Sequence, residues 1–412
     1  MKKALIVNCQ NHSLLDSGGA GRYCRELVKR VERIDGTVQL PDVRCYIENF
    51  NAVDTTATET LSTGRSLADR VKHSGAAWLP PPLLSYLSNW QRNRMAPSKN
   101  SERDEEVRHI HWRRSTARTL LHELTNYGII NQSARVSGDR NLVLAVTFLD
   151  IQDYFYPEYF SDEVLNKRRL LYSYFKDRFD VFFAISQFTK ESMIEHLGIS
   201  PENITVTHLA ADDEHYDLPS GALQERAGNL GRYLIYPAKM WPHKNHDFLL
   251  RSLQKRRGDL ARSGRSLLLT GGFNTLERKQ LEKLISDYSL GDLVKILGFV
   301  SAEHLKELIR NAEFLIFPSL FEGFGLPVLE AMSLGCPVIS SSAGSLPEVG
   351  GDGPIYFDPA SEDQLIAILD SVISDKGIDR VEMIKKGYEN CKRFSWDKTF
   401  SQTLNIYKKF LD

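Results

Sequence analysis

Phe321-Glu322-Gly323-Phe324-Gly325-Leu326-Pro327-Val328-Leu329-Glu330 is the stretch whose reading decides the fold. Ahead of it Leu315-Ile316-Phe317 reads as a buried strand that Pro318-Ser319-Leu320 ends. From Leu326 or Pro327 to Leu334 the pattern is helical, with Gly335 as its stop. Pro327 suits a first helical turn, where its missing N–H costs nothing. The Gly323-Phe324-Gly325 loop is thus expected at a strand C-terminus feeding a helix N-terminus, which is where an open parallel sheet binds its ligands. Glycines admit a ligand close to the backbone, and the free N–H groups of a helix start favour an anion such as diphosphate. Glu322 precedes the glycines and Glu330 lies about one turn inside the helix, so the two carboxylates are expected to face different parts of one ligand. A carboxylate is the natural bidentate acceptor for a vicinal diol, on a ribose or a hexose. Taken alone, two glutamates beside glycines could equally be a solvated helix face. The decision comes from outside the stretch.

Working outward, short apolar runs alternate with longer helical patterns, the signature of parallel sheets covered by helices. Strands are expected at Ala4 to Val7, Leu142 to Thr147, Val181 to Ile185, Ile204 to His208, Tyr233 to Pro237, Ser266 to Thr270, Leu315 to Phe317 and Pro337 to Ser340, with the clearest helices at Asp247 to Gln254 and Glu303 to Asn311. The fold class is α/β. A polar stretch from Ala211 to Arg232 is the linker between two strand-rich halves. The expected organisation is an N-terminal domain over 1–211 with an inserted segment at about 51–141, a second domain over 230–393, and a closing helix over 394–412.

With 412 residues and 42% hydrophobic content the chain can bury a large core. A formal net charge of -1 gives no global pull toward nucleic acid or anionic membrane, so any anionic ligand must be held by local groups. Five widely spaced cysteines fit neither a disulfide framework nor a zinc cluster and read as reduced thiols of a cytoplasmic protein. The charged start Met1-Lys2-Lys3 is that of a signal peptide, but its apolar run ends at Asn8, which suits a first strand better. No run of about 18 apolar residues suggests a membrane span. Within the inserted segment, Arg92 to Arg118 carries eight Lys/Arg against four Asp/Glu. This is a solvated basic face or, with the Pro-rich apolar run from Ala76, a peripheral contact with the membrane over about 76–118.

A second cluster, Tyr236-Pro237-Ala238-Lys239-Met240-Trp241-Pro242-His243-Lys244-Asn245, follows a strand and precedes a helix. Preorganised cations beside a diphosphate-favouring loop would stabilise negative charge that develops on a bound anion. Lys239 and Lys244 are the candidates; as an isolated pair they would be surface charges. In the N-terminal half Gly18-Gly19-Ala20-Gly21-Arg22-Tyr23 follows the first strand and opens a helix, although it departs from the dinucleotide fingerprint.

Phe321 to Met332, followed by Gly335-Cys336-Pro337-Val338 and Gly344-Ser345-Leu346-Pro347-Glu348, resembles the donor-site signature of glycosyltransferase family 4. The resemblance implies a GT-B fold of two facing Rossmann-like domains and a retaining, metal-independent reaction with a nucleoside-diphosphate sugar as co-substrate and no further cofactor. It implies that Glu322 contacts the donor sugar, that Phe324, Gly325 and Leu326 offer backbone groups to sugar and diphosphate, and that Glu330 holds the ribose. The family commonly has Arg where this chain has Lys239, which keeps the charge but loses the bidentate fork. By the same resemblance Gly19 lies in the interdomain cleft near the reacting sugar, and Leu297-Gly298-Phe299-Val300 meets the nucleobase, Gly298 and Phe299 foremost. Phe148-Leu149-Asp150 resembles a segment that usually carries His before Asp. With Leu149 at the His position, Asp150 or Asp153 is left to position the acceptor hydroxyl, the alternative for Asp150 being a helix cap. Ser186 or Thr189 is read as a cap.

The expected activity is transfer of a hexosyl unit, from a mannose-type donor by a weak likeness of Trp241 to Asn245, onto a glycan or lipid-linked glycan acceptor. The rivals are a glycosidase using paired carboxylates, an epimerase or phosphorylase of the same architecture, and a non-catalytic nucleotide-binding module. The first explains neither the lysines nor the helix start.

Overall fold

The computed structural model describes residues 3–8, 19–34, 43–48, 119–124, 141–211 and 232–411. The basic stretch from Arg92, the Pro-rich run from Ala76 and most of the linker lie outside these residues.

Two six-stranded sheets organise the chain. The first holds β1 (Lys3–Asn8), β2 (Val43–Glu48), β3 (Thr119–Glu123), β4 (Leu142–Phe148), β5 (Val181–Ala184) and β6 (Ile204–Val206), in the order β2-β1-β3-β4-β5-β6. The second holds β7 (Tyr233–Pro237), β8 (Ser266–Thr270), β9 (Val294–Gly298), β10 (Phe314–Phe317), β11 (Val338–Ser341) and β12 (Ile355–Phe357), in the order β12-β11-β10-β7-β8-β9. Every pairing in both sheets is parallel. Helices therefore cover both faces, and the central strands are apolar throughout: Phe314-Leu315-Ile316-Phe317 is buried at every position.

All eight expected strands are present. Four more join them, and β3 corrects the reading of 51–141 as an insertion, because Thr119–Glu123 sits between β1 and β4 in mid-sheet. Its sequence carries His122 and Glu123, both buried, which break the apolar run by which a central strand is recognised. His122 is accommodated by hydrogen bonds at both ring nitrogens, to Tyr407 Oη at 2.6 Å and Thr147 Oγ1 at 2.8 Å; Tyr23 Oη lies 2.8 Å from the same Thr147 oxygen. Tyr407 belongs to the helix Trp396–Leu411, which thus packs onto the first sheet although it follows the second in sequence. Arg30 on the helix Gly19–Ile34 secures the start of that helix through Asp397 at 2.9 Å.

Strand order reverses at β1 in the first sheet and between β7 and β10 in the second. Loops leaving neighbouring strands at such a point diverge to opposite faces and open a crevice at the carboxyl ends. The loops after β7 and β10 are those that carry Lys244 and Glu322.

Three buried histidines make the chain acid-sensitive. Burial pushes His122 down to about 3, and burial reinforced by the Lys244 charge holds His243 and His246 at about 4. In the unfolded chain each titrates near 6.5. Between these values the unfolded state carries protons that the folded state refuses, so stability is present above pH 6.5 and is lost as pH falls from there toward 4. Each such histidine contributes a slope of roughly 1.4 kcal/mol per pH unit. Urea midpoints measured at pH 7 and pH 5 should fall clearly at the lower pH, and equal midpoints would mean these imidazoles are not held neutral.

Candidate functional site

Lys244 is fixed by what surrounds its backbone. Tyr236, fully buried at the end of β7, donates its hydroxyl to Lys244 O at 2.5 Å, and Leu320 N–H donates to His243 O at 2.7 Å. Asn245 adopts a left-handed conformation (φ 59°) that few residues other than glycine tolerate, and its Nδ2 donates to Pro318 O at 3.2 Å. The loop after β7 is thereby fastened to the loop after β10. The Lys244 ammonium lies 2.5 Å from Glu322 Oε1 and 5.4 Å from the centre of the Phe317 ring, with the lysine and glutamate side chains only 14% and 12% exposed.

Glu322 is held from the other side. Its carbonyl accepts from Ser345 N–H at 3.2 Å and Ser345 Oγ at 2.9 Å. Gly344, at φ +58°, brings its backbone so near that a Cβ there would stand 2.7 Å from Glu322 O. Gly325 is also left-handed (φ +93°) and caps the helix Leu326–Ser333, which begins with Pro327 in its first turn and without a side-chain cap. Its leading N–H groups and Phe324, Gly325 and Leu326 stand where the loop reading put them.

Residues of the first half, after β4 and β5, meet this loop directly. A Cβ on Gly323 would fall 2.1 Å from Leu149 O and 2.9 Å from Asp150 Cβ. Ser186 Oγ donates to Gly323 O at 2.7 Å while accepting Thr189 N–H at 3.0 Å, so the expected cap is also a bridge between the halves. Asp150 Oδ1 accepts Gln152 N–H at 3.0 Å beside Gly323, but the N-cap of the helix Gln152–Phe155 is Ile151, so Asp150 is not the expected cap. Asp153 is withdrawn: it is buried, and its Oδ1 accepts from Arg168 at 2.9 Å and Tyr172 at 2.8 Å.

Two further contacts join the halves. Glu348 accepts the N–H groups of Gln187 at 2.7 Å and Phe188 at 3.0 Å and pairs with His208 Nε2 at 2.6 Å. Burial alone would raise its carboxyl, but these three hydrogen bonds bring it below the ordinary glutamate value. Glu330 pairs with Arg22 of the helix Gly19–Ile34. Arg22 is a residue that the sequence reading misses. Its spacing from Gly19, three residues along a helix, is the available signal that both face the cleft.

Lys239 is not brought to the pair. It is exposed, its ammonium 5.3 Å from the Trp241 ring. Gly298 (φ +71°) accepts Gly271 N–H at 2.9 Å at the second sheet's edge, with Phe299 73% exposed beside it.

The family described as glycosyl transferases group 1 matches residues 225–390. The chain is 32% identical over 270 residues to the O-antigen chain mannosyltransferase B of Escherichia coli, covering 64% of this chain and 69% of that protein. The chain belongs to the group 1 glycosyltransferases. This glycosyltransferase is also 31% identical over 235 residues to the MMP alpha-(1->4)-mannosyltransferase of Mycolicibacterium hassiacum, a match covering 55% of this chain and 53% of that protein. Among solved structures, the Anabaena HepE protein in complex with UDP and glucose superposes with a TM-score of 0.64 at 17% identity, covering 99% of this chain and 100% of that one. The WaaG glycosyltransferase involved in lipopolysaccharide biosynthesis superposes with a TM-score of 0.61 at 13% identity, covering 98% and 99%. These likenesses establish the GT-B fold of the glycosyltransferase. Among the described residues no helix is long and apolar enough to cross a membrane.

Proposed function

We propose that the glycosyltransferase is retaining and moves a hexosyl unit, mannose in the first instance, from a nucleoside-diphosphate sugar to a glycan or lipid-linked glycan acceptor of surface polysaccharide. The observation that carries the reading is the Lys244–Glu322 pair at the switch point of the second sheet. A carboxylate suited to sugar hydroxyls and a cation suited to a departing diphosphate stand side by side at an anion-favouring helix start. The mannose assignment draws on the two mannosyltransferases above.

In this scheme the helix start and Lys244 take the charge that builds on the leaving diphosphate. Glu322 orients the donor hexose, and Glu330 receives the ribose diol. The departing phosphate oxygen accepts the acceptor hydroxyl's proton on the face it leaves, so the anomeric configuration is kept. Asp150, beside Gly323, lines the acceptor side, Gly298 and Phe299 border the base, and no cofactor beyond the donor is required. The reaction belongs, in this scheme, at the cytoplasmic face of the membrane, with 76–118 as the segment for peripheral contact.

A panel of GDP-mannose, UDP-glucose and UDP-galactose with oligosaccharide acceptors tests this by nucleotide release and by NMR of the product anomer. Release of GDP with an α-mannoside product is the expected result. An inverted product would remove the retaining mechanism, and no turnover with any donor would remove the assignment.

A further inference from the structure

The segment that leaves β4 through Asp150 carries aromatic side chains that the reaction scheme does not use. It turns through the short helix Gln152–Phe155, where Tyr154 and Phe155 are 37% and 38% exposed. The exposed His196 stands against both, its ring centre 5.6 Å from Tyr154 in a stacked arrangement and 5.0 Å from Phe155 edge-on. His196 belongs to the π-helical turn Met193–Leu197, a rare widening of the helix that is frequent at functional sites. The strip of rings runs into the site. Phe155 packs on Phe188 at 5.6 Å and on Phe321 at 5.1 Å, and Phe321 is the residue before Glu322. Asp150, at the other end of the same segment, lies against Gly323.

We propose that Tyr154, Phe155 and His196 form an outer acceptor subsite, which holds an inner sugar of an oligosaccharide whose terminal residue reacts beside Asp150. The subsite rests on the glycan acceptor of the proposed function. A pyranose presents a face of C–H bonds, and the electron-rich face of an aromatic ring attracts their positive hydrogens. The imidazole adds hydrogen-bonding nitrogens among the rings, which suit the hydroxyls at a sugar's edge. The rings are also set into the surface, Tyr154 against Tyr172 at 6.0 Å and Phe155 against Phe321. A lipid surface takes apolar side chains that penetrate it, whereas a flat platform takes a sugar ring. Distance fits as well. Asp150 to Phe155 is five residues, the last four rising only about 6 Å as a helical turn, so an oligosaccharide anchored at the reacting end reaches the platform.

Such a subsite makes turnover depend on acceptor length. Methyl α-mannoside and methyl α-glucoside are compared with α-mannotriose and maltotriose, using whichever of GDP-mannose, UDP-glucose and UDP-galactose the protein turns over. In the unaltered protein the trisaccharide of the accepted series should exceed its monosaccharide in kcat/KM by about tenfold or more, with the difference in KM. Tyr154→Ala and Phe155→Ala should each remove most of that preference, and Phe155→Tyr, which keeps a ring, should retain it. The ratio of the two acceptors is the readout, because a variant that merely loosens the fold lowers both rates alike. Phe155 also supports Phe321, so Tyr154→Ala decides the matter if Phe155→Ala does not fold. A trisaccharide no better than its monosaccharide, or a preference that survives Tyr154→Ala, would overturn the subsite and leave the transferase assignment in place. Transfer to neither series is a separate result, and it removes the glycan acceptor of the proposed function together with this subsite.

Discussion

Lys244→Ala is expected to lower turnover by about 10²–10³-fold, the range seen when a preorganised group aimed at developing charge is removed. The loss should appear in kcat, since charge on the leaving diphosphate is greater in the transition state than in the bound donor. The backbone around Lys244 is secured independently of its side chain, by Tyr236, Leu320 and Asn245. The loop should therefore keep its position when the ammonium is gone. What the variant does leave is Glu322 without its counter-ion in a site 12% exposed, which costs stability of its own. Glu322→Gln removes that charge and separates the two effects. Because the residues are in direct contact, the double variant Lys244→Ala/Glu322→Gln should lose little more activity than the worse single variant. Full additivity of the losses would mean that the pair does not act as a unit, and near-normal turnover in Lys244→Ala would remove it from the mechanism.

The four central strands of the second sheet, β11, β10, β7 and β8, are readable from sequence because their signals are local, whereas the edge strands β9 and β12 are not among those expected. Leu315 to Phe317, the glycines, Pro327 and Gly335 each act within a few residues of the position they punctuate, and the loop they define stands where they put it. Parallel pairing and a switch point then bring Lys244 to Glu322 across 78 residues without further instruction. The first half is harder to read because its determinants are long-range. β3 carries a histidine and a glutamate that look unsuited to a sheet centre until Thr147 and Tyr407, 25 and 285 residues away, supply the histidine's hydrogen-bond partners. Arg22 escapes notice for the same reason, since its partner lies 308 residues on in the other half. Asp153 reads as a candidate for the acceptor hydroxyl because nothing in the sequence announces that Arg168 and Tyr172 occupy it.

Gly323→Ala should abolish most activity without unfolding the protein. Gly323 needs no left-handed backbone conformation, so the substitution is not strained by φ. The obstacle is the other half of the molecule: the new methyl would stand 2.1 Å from Leu149 O and 2.9 Å from Asp150 Cβ, positions that only movement of the two backbones can relieve. The cheapest movement is apart, which stretches the Ser186 hydrogen bond to Gly323 O and lifts Asp150 away from the loop after β10. A displacement of about 1 Å at a reacting centre costs on the order of 10²-fold in rate. Gly323 lies in a loop rather than in a strand or helix, so both sheets keep their pairing, and the helix start should still bind nucleoside diphosphate within a few-fold of normal. Small-angle scattering then reports the cause. At saturating diphosphate the alanine variant should be more extended than the unaltered protein, whose halves are in direct contact. Ser186→Ala, which loses the hydrogen bond without adding bulk, should fall between the two. Normal turnover in Gly323→Ala would show that this contact is not part of the reacting geometry, and the acceptor site would have to be sought elsewhere along the cleft.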